Sequence, residues 1–338
     1  MPAILLTLAL LWLPLSAGAQ SAQALIDAAV TEHVLPRHAA LTEATGALAA
    51  TARDHCEAED PALRAAFGVA FDAWIGVSHL TFGPAEDRNR LFALAFWPDA
   101  RSVTPRTLAR LIETRDPVVD RPGAYAEVSI AARGFYALEF LLYDPALRAQ
   151  GDPAYHCALI RAVAADLDAT ARDLRADWED RFADLMRGAG TNDRIQSPQE
   201  ALRLLFGALD HGLEFTADLR LGRPMGSPER ARPELAEARR SARSQRHVVL
   251  SLEALAELTD LLARDVPDLQ ADLARRFAST LEAARTLDDP VFAGVATPQG
   301  RLRLEALQQR VQDIRDRLRA SLGPALGVAA GFNALDGD

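Results

Sequence analysis

The chain has 338 residues, with 37 basic against 47 acidic side chains, a net charge of −10 and no lysine. An acidic balance without a basic stripe leaves no electrostatic footprint for nucleic acid. The missing lysine removes Schiff-base and Ser-Lys chemistry, and no H-E-x-x-H, G-x-S-x-G or phosphate-binding glycine loop is present.

Residues 5–15 form a short apolar run that ends before Ala17-Gly18-Ala19. This pattern predicts a secretory signal peptide over residues 1–19, cleaved after Ala19. The run is too short for a membrane span, and no later stretch approaches the roughly 20 apolar residues a transmembrane helix needs. The expectation is a soluble, exported protein with no transmembrane anchor. In an exported chain the two cysteines, Cys56 and Cys157, point to a disulfide, with two buried free thiols as the alternative.

Helical signals then recur along the whole chain. Asp60-Pro61, Thr104-Pro105, Asp152-Pro153 and Thr297-Pro298 each place an N-cap residue before a proline at the first helical position, and Ser197 with Glu200 forms a capping box. Periodic segments cover residues 22–53, 62–80, 105–113, 125–143, 152–185, 198–221, 234–264, 269–287 and 298–322. Alternating β-branched runs do not compete, so the fold class is all-α. The Gly-, Thr- and Asn-containing stretch 187–197 reads as a linker between two antiparallel helical bundles, residues 20–190 and 191–338, packed side by side. The connection 81–103 is long for a helical protein, and such loops are often functional.

Within segment 125–143, Glu139 sits among Phe135, Leu138, Phe140, Leu141 and Leu142, in a helix apolar on nearly every side. A buried carboxylate needs a partner. Spacings of three and four residues put Tyr136 and Tyr143 on the stripe of Glu139. Projected as one helix, residues 239–262 place Arg240, Arg243, Ser244 and His247 on the arc that continues the apolar positions Val248, Leu255, Leu258 and Leu262. Inward arginines require acids or an anion, so the expected partners are Glu139 or Glu214, with an exogenous ligand as the alternative. His211 and Glu214 lie three apart, a spacing that can hold two metal ligands, though a solvated charged face has the same pattern. His79 reads as the end of a core helix, and His33 and His38 are five apart and share no helix face.

The run Gly134-Phe135-Tyr136-Ala137-Leu138-Glu139 resembles the G-x-H-x-x-E signature of imelysin-like proteins, exported helical proteins associated with bacterial iron uptake. Phe82-Gly83-Pro84, Phe96-Trp97-Pro98-Asp99, Gly212-Leu213-Glu214-Phe215, Leu221-Gly222-Arg223-Pro224 and Arg232-Pro233 through Ser241 extend the resemblance over nearly the whole chain. The resemblance implies two helical-bundle domains with the signature helix at the cleft between them. It also implies a metal, iron complex or small ligand bound there, and partners among the envelope proteins of an iron-uptake system. Some family members have been described as peptidases. This chain departs from the signature at Tyr136, which stands where the family has His; tyrosine can ligate ferric iron as phenolate. The resulting expectation is a non-enzymatic periplasmic protein whose ligand meets Tyr136, Glu139, Tyr143, Arg240, Arg243 and His247, with Glu139, Tyr136, His211 and Glu214 as candidate ligands for iron or another metal. A metallopeptidase using Glu139 as base is the alternative, and a scaffold with a structural polar core the second alternative.

Overall fold

A computed structural model describes residues 16–121 and 123–328. The expected signal sequence lies outside them, apart from its last residues. Fifteen helices follow one another: α1 (Ser16–Ala28), α2 (Leu35–Asp54), α3 (Pro61–Val77), α4 (Arg90–Leu94), α5 (Val103–Thr114), α6 (Gly134–Tyr143), α7 (Pro145–Arg148), α8 (Pro153–Asp177), α9 (Ala183–Arg187), α10 (Pro198–Glu214), α11 (Gly222–Met225), α12 (Ser244–Leu262), α13 (Pro267–Arg285), α14 (Pro298–Arg317) and α15 (Gly323–Ala325). No strand occurs among the described residues beyond a single bridge between Ser227 and Arg230. The protein is all-α, as its sequence predicts. Among the described residues no helix is long and apolar enough to cross a membrane.

The caps explain where four helices begin. The side chains of Asp60, Asp152, Ser197 and Thr297 accept hydrogen bonds from the free backbone N–H groups of α3, α8, α10 and α14, each just before a proline. The fifth expected cap is displaced. Helix α5 starts at Val103, and the carboxylate of Asp99, not Thr104, takes the N–H groups of Val103 and Thr104 at 2.9 and 2.8 Å.

Four helices lengthen through π-helical turns: Ala29–Val34 joins α1 to α2, Trp178–Phe182 joins α8 to α9, Phe215–Leu221 joins α10 to α11, and Leu318–Leu322 joins α14 to α15. By packing, α2, α3, α6 and α8 form one group and α10, α12, α13 and α14 another. Helix α1 crosses over to α9, α10 and α12, and α3 packs on α12. One apolar core, from Ala22 to Val328, runs through both groups.

Two predicted helices are shorter than the periodicity suggests. Segment 125–143 is α-helical only from Gly134. Before it lie 3-10 turns at Ala124–Glu127 and Ile130–Ala132. Gly134 has φ +79°, and a Cβ there would stand 2.3 Å from the carbonyl oxygen of Leu94, so only glycine lets the strained turn press against α4. Segment 234–264 becomes α12 only at Ser244, because Ala238 and Ala242 adopt φ +48° and +56° and turn the chain. Arg240 and Arg243 therefore precede the helix, which corrects the projection that put them on its inward arc.

Cys56, just past the end of α2, is bonded to Cys157 in the first turns of α8, with Cα atoms 4.8 Å apart. Stretch 187–197 is a hydrogen-bonded turn: Asn192 accepts from the N–H groups of Arg194 and Ile195 and donates to the carbonyls of Leu185 and Gly188.

His38 on α2 supplies a pH-dependent term in stability. It is buried, donates from Nδ1 to the carbonyl of Val34 at 2.9 Å, and burial drops its pKa to about 4. Since the folded value lies below that of the unfolded chain, the unfolded state binds the proton first. Stability from this group is complete above pH 6.5 and is lost as pH falls toward 4, a change of about 3 kcal/mol. Urea unfolding of the parent and His38→Phe should show a difference between them that changes by this amount between pH 7 and 4. A pH-independent difference would refute the assignment.

Candidate functional site

A cleft of about 720 Å³, counting its open mouth, lies between residues of both helical groups. Trp74, Ser78 and His79 come from α3 and the turn after it, Leu91, Phe92 and Trp97 from the long connection 81–103, and Tyr136 from α6. His211, Gly212, Phe215 and Arg220 come from α10 and its π turn, and Glu237 from the turns before α12. Trp74, Phe92, Trp97, Tyr136 and Phe215 give the walls their aromatic character. Trp97 stacks with Tyr136, and its ring centroid lies 5.7 Å from that of Phe215; Phe92 is half exposed at 53%. Gly212 is required by proximity, because a Cβ would stand 2.6 Å from Leu255 and 3.0 Å from His79.

One polar cluster of the cleft, around Glu237 and Arg220, is a closed network. Glu237 and Arg220 are 2% and 3% exposed, and Arg220 donates from Nε to Glu237 Oε2 at 2.7 Å. Its remaining nitrogens donate to Thr216 and Ser251 at 3.2 Å and to Ser78 at 3.3 Å. Tyr136 donates its hydroxyl hydrogen to Glu237 Oε1 at 2.5 Å. Burial alone would raise the pKa of Glu237, but Arg220, with His247 and the Tyr136 hydroxyl, brings it to about 2. Burial and the neighbouring Glu237 carboxylate push the Tyr136 phenol well above its ordinary value. The network is thus a carboxylate, a guanidinium and a neutral phenol, all partnered.

The residues expected at the site separate into distinct places. Glu139 is buried but accepts from the N–H and hydroxyl of Ser241, at 2.9 and 2.6 Å, rather than from an arginine. Burial raises its pKa, opposed by the two Ser241 donors and Arg240. Arg240 pairs with Asp144 at 3.0 Å and lies 3.6 Å above the ring of Phe140. Arg243 pairs with Asp72, which also holds Arg246. The inward-arginine pairing expected for Glu139 is therefore replaced by a serine pair. Tyr143 is half-buried with Arg64 4.6 Å over its ring, and burial raises its pKa.

His247 is fully buried, its ring edge-on to Phe71 with centroids 4.5 Å apart. Its Nδ1 is 3.2 Å from Glu237 Oε2 but off the line of a hydrogen bond, so neither ring nitrogen has an aligned partner. Glu214 turns to Arg315 at 2.9 Å, next to Asp210 with Arg315 and Arg319. His211 lines the cleft, 3.9 Å from Glu214. Among the described residues no group of three or more His, Cys, Asp or Glu is arranged to hold a metal ion. Glu139 faces Ser241, Tyr136 faces Glu237, and His211 lies beside a Glu214 already paired with Arg315, so the four do not form one ligand set.

Sequence reading missed Glu237, Arg220, and the buried pair His33 and His79. Glu237 lies in a stretch with uniform helical periodicity, and its partner is fixed only by tertiary packing. An available signal was Arg220, a charge flanked by Leu219 and Leu221, which like Glu139 called for a partner.

Known proteins place this architecture. The sequence profile of imelysin (peptidase M75) matches residues 34–318. Iron-regulated protein A of Synechococcus elongatus is 23% identical over 323 residues, covering 90% of this chain and 86% of that protein. The crystal structure of an imelysin-like protein from Psychrobacter arcticum superposes with a TM-score of 0.77 at 18% identity, covering 93% of this chain and 98% of that one. A putative iron-regulated protein A precursor from Parabacteroides distasonis gives a TM-score of 0.71 at 15% identity over 88% of this chain and 95% of that one. At such identities the two structures establish the shared fold. With the profile spanning most of its length and the altered signature at Gly134, Tyr136 and Glu139, the chain belongs to the imelysin family.

Proposed function

We propose that the protein is an exported, non-enzymatic binding protein that takes a small organic ligand or an organic iron complex between two helical units, in the service of iron uptake. The observation that carries this reading is the aromatic cleft with the Tyr136–Glu237–Arg220 network set into it. Ligand sites are concave and mostly apolar, with a few convergent polar groups, and this cleft has that composition. Export is supported by the apolar N-terminal run and by the bonded cysteines. The iron context rests on the two relatives called iron-regulated protein A. The non-enzymatic reading is supported by the state of the acids: Glu139 accepts two hydrogen bonds from Ser241, and Glu237 is ion-paired with Arg220, so neither is free to act as a base.

Calorimetric titration tests the reading with two probes, ferric catecholate, whose ligand rings are aromatic, and ferric citrate, whose ligand is not. Ferric catecholate should bind saturably and more tightly, and Trp97→Ala should weaken it by about tenfold, as loss of an aromatic wall of this size implies. Saturable heat from neither probe, or equal affinity in Trp97→Ala, would remove the cleft from consideration.

A further inference from the structure

A chain of hydrogen bonds runs from the cleft to the surface through two histidines. His79, 4% exposed, lines the cleft and lies with its Nε2 2.9 Å from Nε2 of His33. His33, carried on the π turn Ala29–Val34 and fully buried, places its Nδ1 2.8 Å from Oε1 of Glu257 on α12. Glu257 is 46% exposed, and its other oxygen accepts from Arg37 at 2.7 Å. The ring planes of the two histidines are inclined at 61°.

The charges on this chain fix its protons. Burial lowers the pKa of His33, and it lowers that of His79 much further, with the positive fields of His33, Arg37, His38 and Arg220 adding to the latter. Both rings are therefore neutral at pH 7. Glu257 is held at about 2, because hydrogen bonds from His33 and Arg37 outweigh its partial burial. A ring nitrogen 2.8 Å from an ionised carboxylate must carry the proton, so His33 is protonated at Nδ1. The 3.1 Å approach of Arg37 Nε to that same nitrogen is then not a second hydrogen bond. His33 Nε2 is left with a lone pair, which requires His79 to donate from its Nε2. His79 Nδ1 thus keeps its own lone pair. No hydrogen bond to that atom occurs among the described residues, and His79 is one of the residues that line the cleft.

We propose that His79 is the hydrogen-bond acceptor of the cleft, fixed in that state by Glu257 through His33, and that the ligand it takes carries an aromatic hydroxyl. The aromatic part follows from the walls of Trp74, Trp97, Phe92 and Phe215, and the hydroxyl from an imidazole that can only accept. His33 and Glu257 are positioning residues, touching His79 and each other. The inference rests on the reading of the cleft as a ligand site and adds the chemical class of the ligand.

Removing Glu257 reverses the chain. In Glu257→Ala, Arg37 Nε is free to donate to His33 Nδ1, the proton of His33 moves to Nε2, and His79 must accept there and carry its proton on Nδ1. Long-range 1H–15N spectra of the histidine rings in the full chain at pH 7 read these tautomers directly. The parent should show His79 protonated at Nε2 and His33 at Nδ1, with both exchanged in Glu257→Ala. Phenol and anisole, which differ by the hydroxyl hydrogen, serve as probes. Phenol should bind the parent roughly fivefold to tenfold more tightly, and the preference should vanish in Glu257→Ala, whose altered side chain lies at the surface and not in the cleft. A parent His79 protonated at Nδ1, or equal affinity for the two probes, would overturn the proposal while leaving the cleft a binding site. If neither probe binds, the aromatic-hydroxyl class is overturned, and if ferric catecholate also fails, so is the ligand reading of the cleft.

Discussion

Replacing Arg220 with methionine should lower the free energy of unfolding by about 3 to 5 kcal/mol, the cost of leaving one partner of a buried ion pair alone. Glu237 is 2% exposed and would keep the Tyr136 hydroxyl and the nearby His247 ring, but no cation hydrogen-bonded to its charge. Thr216, Ser251 and Ser78 would lose a shared donor in the same step. The acid side of the network shows the same dependence as a function of pH. The folded pKa of Glu237, about 2, lies below that of an unfolded glutamate, so its contribution is complete above about pH 4.5 and is lost as pH falls through 2. Guanidinium titration at pH 7 measures the single variant, and Arg220→Met combined with Glu237→Gln measures the charge itself. The double variant should recover part of the loss, since neither position of this pair then carries a buried charge. A single variant within 1 kcal/mol of the parent would mean that solvent reaches the pair.

Loss of the disulfide should cost a similar amount. Cys56 and Cys157 are separated by 101 positions, and closing a loop of that length restricts the unfolded chain by about 4 to 5 kcal/mol in the chain-entropy account. The enclosed segment contains α3, the connection 81–103 and α6, and so every cleft residue contributed by the first helical group. The Cys56→Ser/Cys157→Ser variant should unfold at lower denaturant with a steeper dependence on its concentration, because its unfolded state is more open. An unchanged midpoint under non-reducing conditions would show that the bond is not formed in the protein as purified.

Much of the fold was legible because helix starts are local chemistry. Asp60, Asp152, Ser197 and Thr297 each cap a helix where a short polar side chain precedes a proline. Apolar periodicity then supplied the all-α class. What periodicity could not show is where the backbone leaves the helix without glycine or proline to announce it. Ala238 and Ala242 take positive φ in a stretch of good helix formers, and the resulting turns bring Glu237 to Arg220 and Ser241 to Glu139. The signature helix is legible in the sequence and Tyr136 lines the cleft, but the donors of Glu139 sit in those turns, where helical periodicity points to arginines instead. The pairing of His33 with His79 cannot be read from either helix alone, because it exists only between the π turn before α2 and the turn after α3.

The π turns carry a consequence for how this chain tolerates change in length. Each holds one residue more than an α-turn needs, and the extra residue rotates everything downstream by roughly 100° about the helix axis. Two of the four bear polar groups of the cleft and its supports: His33 on the first, Thr216 and Arg220 on the third. Deleting one residue there would leave a sound α-helix whose hydrogen bonds are all satisfied, yet it would turn one set of side chains away from the other. In these two places the register of the helix, more than the identity of any one residue, determines whether the cleft exists.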